Sequence, residues 1–92
     1  MTDQVSDVTN EVTLEELAAL MKRVAGVNVD PARLREQADA GFDTFGLESL
    51  GLLGIVAELE QRYGRALPEQ TERCKTPAEF LSQVNGALRK GA

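Results

Sequence analysis

The 92-residue sequence contains no histidine, no tryptophan and a single cysteine. Without histidine the chain lacks the usual general base for a serine or cysteine nucleophile, which argues against a self-sufficient hydrolase. Cys74 has no partner for an internal disulfide, and no zinc-type cluster can assemble around it. Aromatic rings are scarce as well. Three phenylalanines and one tyrosine leave the core to aliphatic side chains. Charged residues interrupt every apolar run well short of a membrane span. The amino end, MTDQVSDVTNE, is polar and acidic, unlike a secretory or organelle-targeting segment. A cytoplasmic protein with no membrane role is expected.

What is present fits one small globular domain: 42% hydrophobic and 27% charged residues. The formal charge of −5 is uneven. Residues 1 to 48 hold ten acids and four bases, whereas residues 49 to 92 hold five acids and six bases. Such a chain repels nucleic acid and anionic membrane and favours basic protein partners. Any single surface acid needs no purpose beyond solubility.

Residues 1 to 12 lack a sustained apolar pattern and read as a flexible acidic tail. The domain is expected over residues 13 to 90. Thr13 and Glu16 form a capping box, and Leu14, Leu17, Leu20, Met21 and Val24 fall on one face of the helix that follows. Gly26 is its natural stop. Residues 27 to 47 form a long connection, in which Asp30-Pro31 can start a short helix and Gly41 can end one. Leu34, Phe42 and Phe45 are expected to pin it to the core. A second strong helix runs from about Ser49 to Tyr63 and stops at Gly64. A polar segment with one or two helical turns surrounds Cys74. Thr76, Pro77 and Glu79 then open a last helix carrying Phe80, Leu81, Val84, Ala87 and Leu88. The expected fold is all-α: three main helices plus one short helix, with a long loop between the first two main helices.

The helix after Ser49 has two apolar stripes at 100° per residue. Leu52, Ile55, Val56, Leu59 and Tyr63 form the core stripe. Leu50, Leu53 and Ala57 form another, rotated away from it and bordered by Glu48, Glu58 and Glu60. Either this second stripe is an exposed docking patch with an acidic rim, or the long loop folds over it. Ser49 has a plain structural use, because serine is a preferred N-cap. The catalytic alternatives fail on spacing. A nucleophile elbow needs glycine two residues before the serine, where Leu47 stands, and a phosphate-binding P-loop needs a lysine just before it. A serine at a helix start is nonetheless a favourable place for a phosphate ester, since free N–H groups and the helix dipole stabilise an anion there. Gly51 and Gly54 keep the first turns slim, though each costs roughly 0.5–1 kcal/mol against alanine in a helix.

The run F-D-T-F-G-L-E-S-L, residues 42 to 50, resembles the F-x-x-[LIF]-G-x-[DE]-S-L signature of acyl carrier proteins. The likeness continues through IVAELEQRYG, Leu67-Pro68 and T-P-A-E-F-L, and so covers residues 13 to 90. It implies that Ser49 is esterified with 4'-phosphopantetheine from coenzyme A, whose thiol carries acyl chains as thioesters. The chain would be a covalent shuttle, not an enzyme, which suits the missing histidine. R-Y-G before a proline and C-K-T-P-A-E-F-L resemble carriers of bacterial type II (aromatic) polyketide synthases; "SLGLLGIV" and "ERCKTP" resemble the spore-pigment branch. The implied partners are a phosphopantetheinyl transferase, a ketosynthase with its chain-length factor, a malonyl transferase, and tailoring ketoreductases or cyclases. They would meet a monomer through Asp43, Glu48, Leu50, Leu53, Gly54, Ala57, Glu58 and Glu60.

The sequence departs from the family pattern in places. Glu48 replaces the usual aspartate before the serine, Gly51 and Gly54 replace residues often polar or acidic, and Cys74 stands where relatives have an aliphatic residue. Cys74 reads as a small core hydrophobe. The rivals are a peptidyl carrier, a fatty-acid-type carrier, an unmodified acidic helical adaptor, and a divalent-ion protein using Asp39, Asp43 and Glu48. The spacing of those three acids does not match a calcium loop.

Overall fold

The structure is a computed structural model and describes residues 11–90. Among them there is no strand, as the all-α expectation requires. Three long helices carry the fold: α1 (Leu14–Ala25), α3 (Ser49–Tyr63) and α4 (Pro77–Lys90). The short α2 (Pro31–Glu36) lies in the connection between α1 and α3, and 3-10 turns occupy Phe42–Phe45 and Glu69–Arg73.

Local chemistry explains most of the boundaries. Thr13 caps α1, its hydroxyl accepting the Glu16 N–H at 3.1 Å. The reciprocal half of the expected box is missing. Glu16 turns instead to α3, where it accepts from Arg62 at 2.6 Å and from the Tyr63 hydroxyl. Gly26 and Gly64 end α1 and α3 in the left-handed conformation, at φ 71° and 68°, as glycine does without strain. Asp30 caps α2, with Pro31 at the first position. That helix ends at Gln37 and not at Gly41, because the Gln37 N–H already closes onto the Arg33 carbonyl. At α4 the box is shifted by one residue: Thr76 accepts the Glu79 N–H, while Glu79 accepts from the Lys75 N–H at 2.9 Å.

The core is aliphatic with three buried phenylalanine rings. Leu17, Leu20 and Met21 of α1 meet Leu52, Ile55, Val56 and Leu59 of α3, and Phe80, Val84 and Leu88 come from α4. Leu34, Phe42 and Phe45 are buried and pin the long connection, as expected. Phe42 meets Phe80 edge to face at 5.9 Å, and its N–H donates to the Lys75 carbonyl at 2.7 Å. Cys74 is buried, in keeping with its reading as a core hydrophobe.

Two expectations need correction. Val24 belongs to the predicted core face of α1 but is 36% exposed. Val12 falls in the expected flexible tail but is buried; Asn85 accepts its N–H at 2.7 Å and donates to its carbonyl at 3.0 Å. Arg89 also holds Glu11 at 2.7 Å. The remainder of the predicted tail, residues 1–10, lies outside the described residues.

Candidate functional site

The segment before α3 is a device for display. Gly46 adopts φ 86°, and the next residue, Leu47, is buried and donates its N–H to the Phe42 carbonyl. With Leu47 anchored, the following Glu48, Ser49 and Leu50 are all exposed. Glu48, not Ser49, is the N-cap of α3; its backbone is extended (φ −91°, ψ 166°) and its side chain makes no capping bond. The first backbone bond of the helix runs from the Leu52 N–H to the Glu48 carbonyl. The capping use proposed for Ser49 therefore fails. As the first helical residue, its hydroxyl is left uncommitted beside the N–H groups of the opening turn, where an anion is stabilised by about 0.3–1 kcal/mol.

Ser49 opens on a cleft of about 530 Å³. Leu47, Leu52, Phe42 and Cys74 give it apolar walls, and Lys75, Arg73, Glu48 and Asp43 also line it. Burial, with Glu79 nearby, raises the Cys74 thiol pKa above its ordinary value, and Sγ lies 3.4 Å from the Gln70 carbonyl. That thiol is an inert wall at neutral pH. On the other side of the serine, a groove of about 470 Å³ separates the start of α3 from the end of α1.

The second apolar stripe is open, since the long connection does not cover it. Leu50 is 79% and Leu53 41% exposed, and Ala57 is exposed. Asp43 and Glu48 sit beside Ser49, as the sequence suggests. The other rim acids are engaged by partners within the chain. Glu58 accepts from Arg23 at 2.7 Å and lies 3.8 Å from Arg62; Glu60 accepts the Leu67 N–H at 2.7 Å. Gly54 is not open to a partner in the way a slim exposed turn would be. A Cβ there would stand 2.7 Å from Val24 Cγ1, and one at Gly51 would stand 2.8 Å from Leu47 Cδ1 and 3.0 Å from Ala25 Cβ. The glycines let α1 approach α3. Among the described residues no group of three or more acids or cysteines is placed to hold a metal ion, so Asp39, Asp43 and Glu48 do not converge.

The sequence reading missed Arg23 and Val24, which shape the site from α1. It also missed the role of Tyr63, half-buried at the far end of α3. Burial, reinforced by the Glu16 carboxylate, raises the phenol pKa above its ordinary value. Folding thus disfavours the phenolate. The contribution is complete below about pH 10 and is lost as pH rises through the higher folded value. Because Tyr63 is the chain's one tyrosine and there is no tryptophan, ultraviolet titration reads it cleanly. The folded protein should ionise at higher pH than the urea-unfolded chain, and Glu16→Gln should narrow the gap. Coincident curves would contradict the Glu16 contact.

Comparison with known proteins bears on this geometry. The family described as "Phosphopantetheine attachment site" matches residues 6–84. A "Probable acyl carrier protein" of Streptomyces coelicolor is 74% identical over 91 residues, covering 99% of each chain. The "Curamycin polyketide synthase acyl carrier protein" of Streptomyces cyaneus is 61% identical over 82 residues, 89% of this chain and 93% of that protein. Among solved structures, the 3,5-dioxohexyl form (a triketide mimic) of the carrier from the actinorhodin polyketide synthase of Streptomyces coelicolor superposes with TM-score 0.73 at 34% identity. It covers 90% of this chain and 98% of that one. No helix among the described residues is long and apolar enough to cross a membrane.

Proposed function

The chain belongs to the acyl carrier proteins, of the type that serves type II polyketide synthases, and from that premise we propose that Ser49 is where its phosphopantetheine is attached. The observation that carries the proposal is the exposed Ser49 hydroxyl at the first residue of α3, relieved of capping by Glu48. The residues present fit the group. The opening N–H groups of α3 would face its phosphate, and the cleft between Leu52 and Cys74 would receive the inner part of the arm or its cargo. When bound, the arm supplies a thiol on which acyl chains ride as thioesters.

This chain's own residues do the rest of the work by positioning. Leu47 in the core and Gly46 in its left-handed turn fix where Ser49 stands, so that an enzyme meets the serine in one orientation. The half-apolar cleft suits a growing chain that alternates methylene and carbonyl groups. Phe42 and Leu52 offer apolar contact, and Lys75 and Arg73 offer donors for carbonyl oxygens.

The partners we propose are a phosphopantetheinyl transferase that loads the arm, a ketosynthase with chain-length factor and a malonyl transferase that extend the cargo, and ketoreductases or cyclases that tailor it. The product would be an aromatic polyketide of the antibiotic or pigment kind, and the setting the cytoplasm, where coenzyme A is available. The test is intact mass before and after incubation with coenzyme A and a broad-specificity phosphopantetheinyl transferase. Wild type should gain one phosphopantetheine and Ser49→Ala none. A gain by the alanine variant would move the attachment elsewhere, and no gain by wild type beside a labelled control carrier would overturn the proposal.

A further inference from the structure

The shifted capping box at the start of α4 leads, bond by bond, to the serine. The Glu79 carboxylate accepts the Lys75 N–H at 2.9 Å. The Lys75 carbonyl accepts the Phe42 N–H at 2.7 Å, and the Phe42 carbonyl accepts the Leu47 N–H at 3.1 Å. Leu47 is the buried anchor that precedes Glu48 and Ser49. Three hydrogen bonds in series thus join a carboxylate on α4 to the residue that sets where the serine stands. Phe42 is the middle link, and its ring packs on Phe80, so α4 locates both its backbone and its side chain. The place of α4 itself does not depend on the Glu79 carboxylate. Thr76 still accepts the Glu79 N–H at 3.1 Å, and the Ala78 N–H donates to the Ala38 carbonyl at 2.9 Å.

Resting on the carrier reading, we propose that Glu79 is a positioning residue for the modification of Ser49: its side-chain oxygen holds Lys75 and, through Phe42 and Leu47, fixes how the hydroxyl is presented. What the series needs from Glu79 is an acceptor, not a charge. The bond to Lys75 is exposed, so without it water satisfies that N–H. Losing it therefore loosens the series without leaving a buried polar group unpaired, and most of the fold's stability is kept.

The experiment compares full-length wild type, Glu79→Gln and Glu79→Met. The two variants have similar helix propensity, and both lose the negative charge that suits the first turn of α4. They differ in the oxygen acceptor, which glutamine keeps and methionine lacks. Amide hydrogen exchange is read residue by residue by NMR before modification. In Glu79→Met the Phe42 and Leu47 amides should exchange about three- to ten-fold faster than in wild type, the scale of one hydrogen bond. The amides of Leu20 and Val56, in the middle of α1 and α3, should change less than about two-fold. In Glu79→Gln all four should stay within about two-fold of wild type. Modification by the broad-specificity transferase with coenzyme A is then followed at varied carrier concentration. Glu79→Met should lower the transferase's kcat about three- to ten-fold with KM within about two-fold, because the hydroxyl is displaced while the surface around it is kept. Glu79→Gln should restore kcat. Equal acceleration at all four amides would reduce Glu79 to a contributor to global stability and overturn the proposal. So would wild-type kcat in Glu79→Met, or the same loss of kcat in both variants. Failure of wild type to be modified at all would instead strike the carrier reading, with the exchange pattern still deciding the series of bonds.

Discussion

Phe80→Ala is expected to cost about 3–5 kcal/mol of folding stability, the range for removing a fully buried ring. Phe80 is 0% exposed and stands in the first turn of α4, where its ring meets Phe42 edge to face at 5.9 Å. That geometry adds about 0.5–1.5 kcal/mol beyond area burial. Only four aromatic residues exist in the chain, so no neighbouring ring can fill the space. A small domain is stable by about 5–15 kcal/mol in all, and 3 kcal/mol corresponds to a fall of at least about 12 °C in melting temperature. The effect reaches the site, because Phe42 also walls the cleft beside Ser49. A circular-dichroism melt checks the prediction. A fall of less than about 5 °C would mean that the core around α4 collapses onto the cavity, as a loosely packed one does.

How far the sequence announces this structure depends on how local the causes are. The left-handed stops at Gly26 and Gly64, the Asp30-Pro31 start of α2 and the two stripes of α3 all follow from residues a few places apart, and all are found. The failures involve distant partners. Nothing near Glu16 says that Arg62 and Tyr63 will take its carboxylate from the capping box. Nothing near Val12 says that Asn85, 73 residues away, will hold it. Ser49 and Glu48 are both acceptable at the start of a helix. The choice falls to Glu48 because Leu47, buried after the Gly46 turn, sets where the backbone becomes helical. The partners of the α3 acids are distant in the same way, since Glu58 is matched by Arg23 from another helix and Glu60 is used as a cap for the chain at Leu67. A helical wheel says which residues share a face; it does not say which neighbour that face will meet.

The glycines of α3 illustrate the point, and they carry the second large prediction. By helix propensity alone Gly51→Ala should stabilise the protein by about 1 kcal/mol. The opposite is expected. The new methyl would lie 2.8 Å from Leu47 Cδ1 and 3.0 Å from Ala25 Cβ, both closer than atoms can sit without movement. Ala25 Cβ has no rotamer to change, so the end of α1 itself must retreat. Leu47 is buried and cannot swing into solvent. Overpacking of this kind costs about 1–3 kcal/mol; with two neighbours to displace, one of them fixed to the backbone, the upper part of that range, about 2–3 kcal/mol, leaves a net loss of about 1–2 kcal/mol after the propensity gain, or roughly 4–16 °C in melting temperature. Gly54→Ala is the control. Its methyl would meet Val24 Cγ1 alone, on a side chain that is 36% exposed and has solvent to move into. There the propensity gain should survive, leaving the melting temperature level with or above wild type. The two variants should differ in function as well. Displacing Leu47 shifts the anchor that presents Glu48 and Ser49, so Gly51→Ala should slow phosphopantetheinylation. If instead both variants stabilise the fold equally and are modified at the wild-type rate, close approach of α1 is not what requires glycine at position 51.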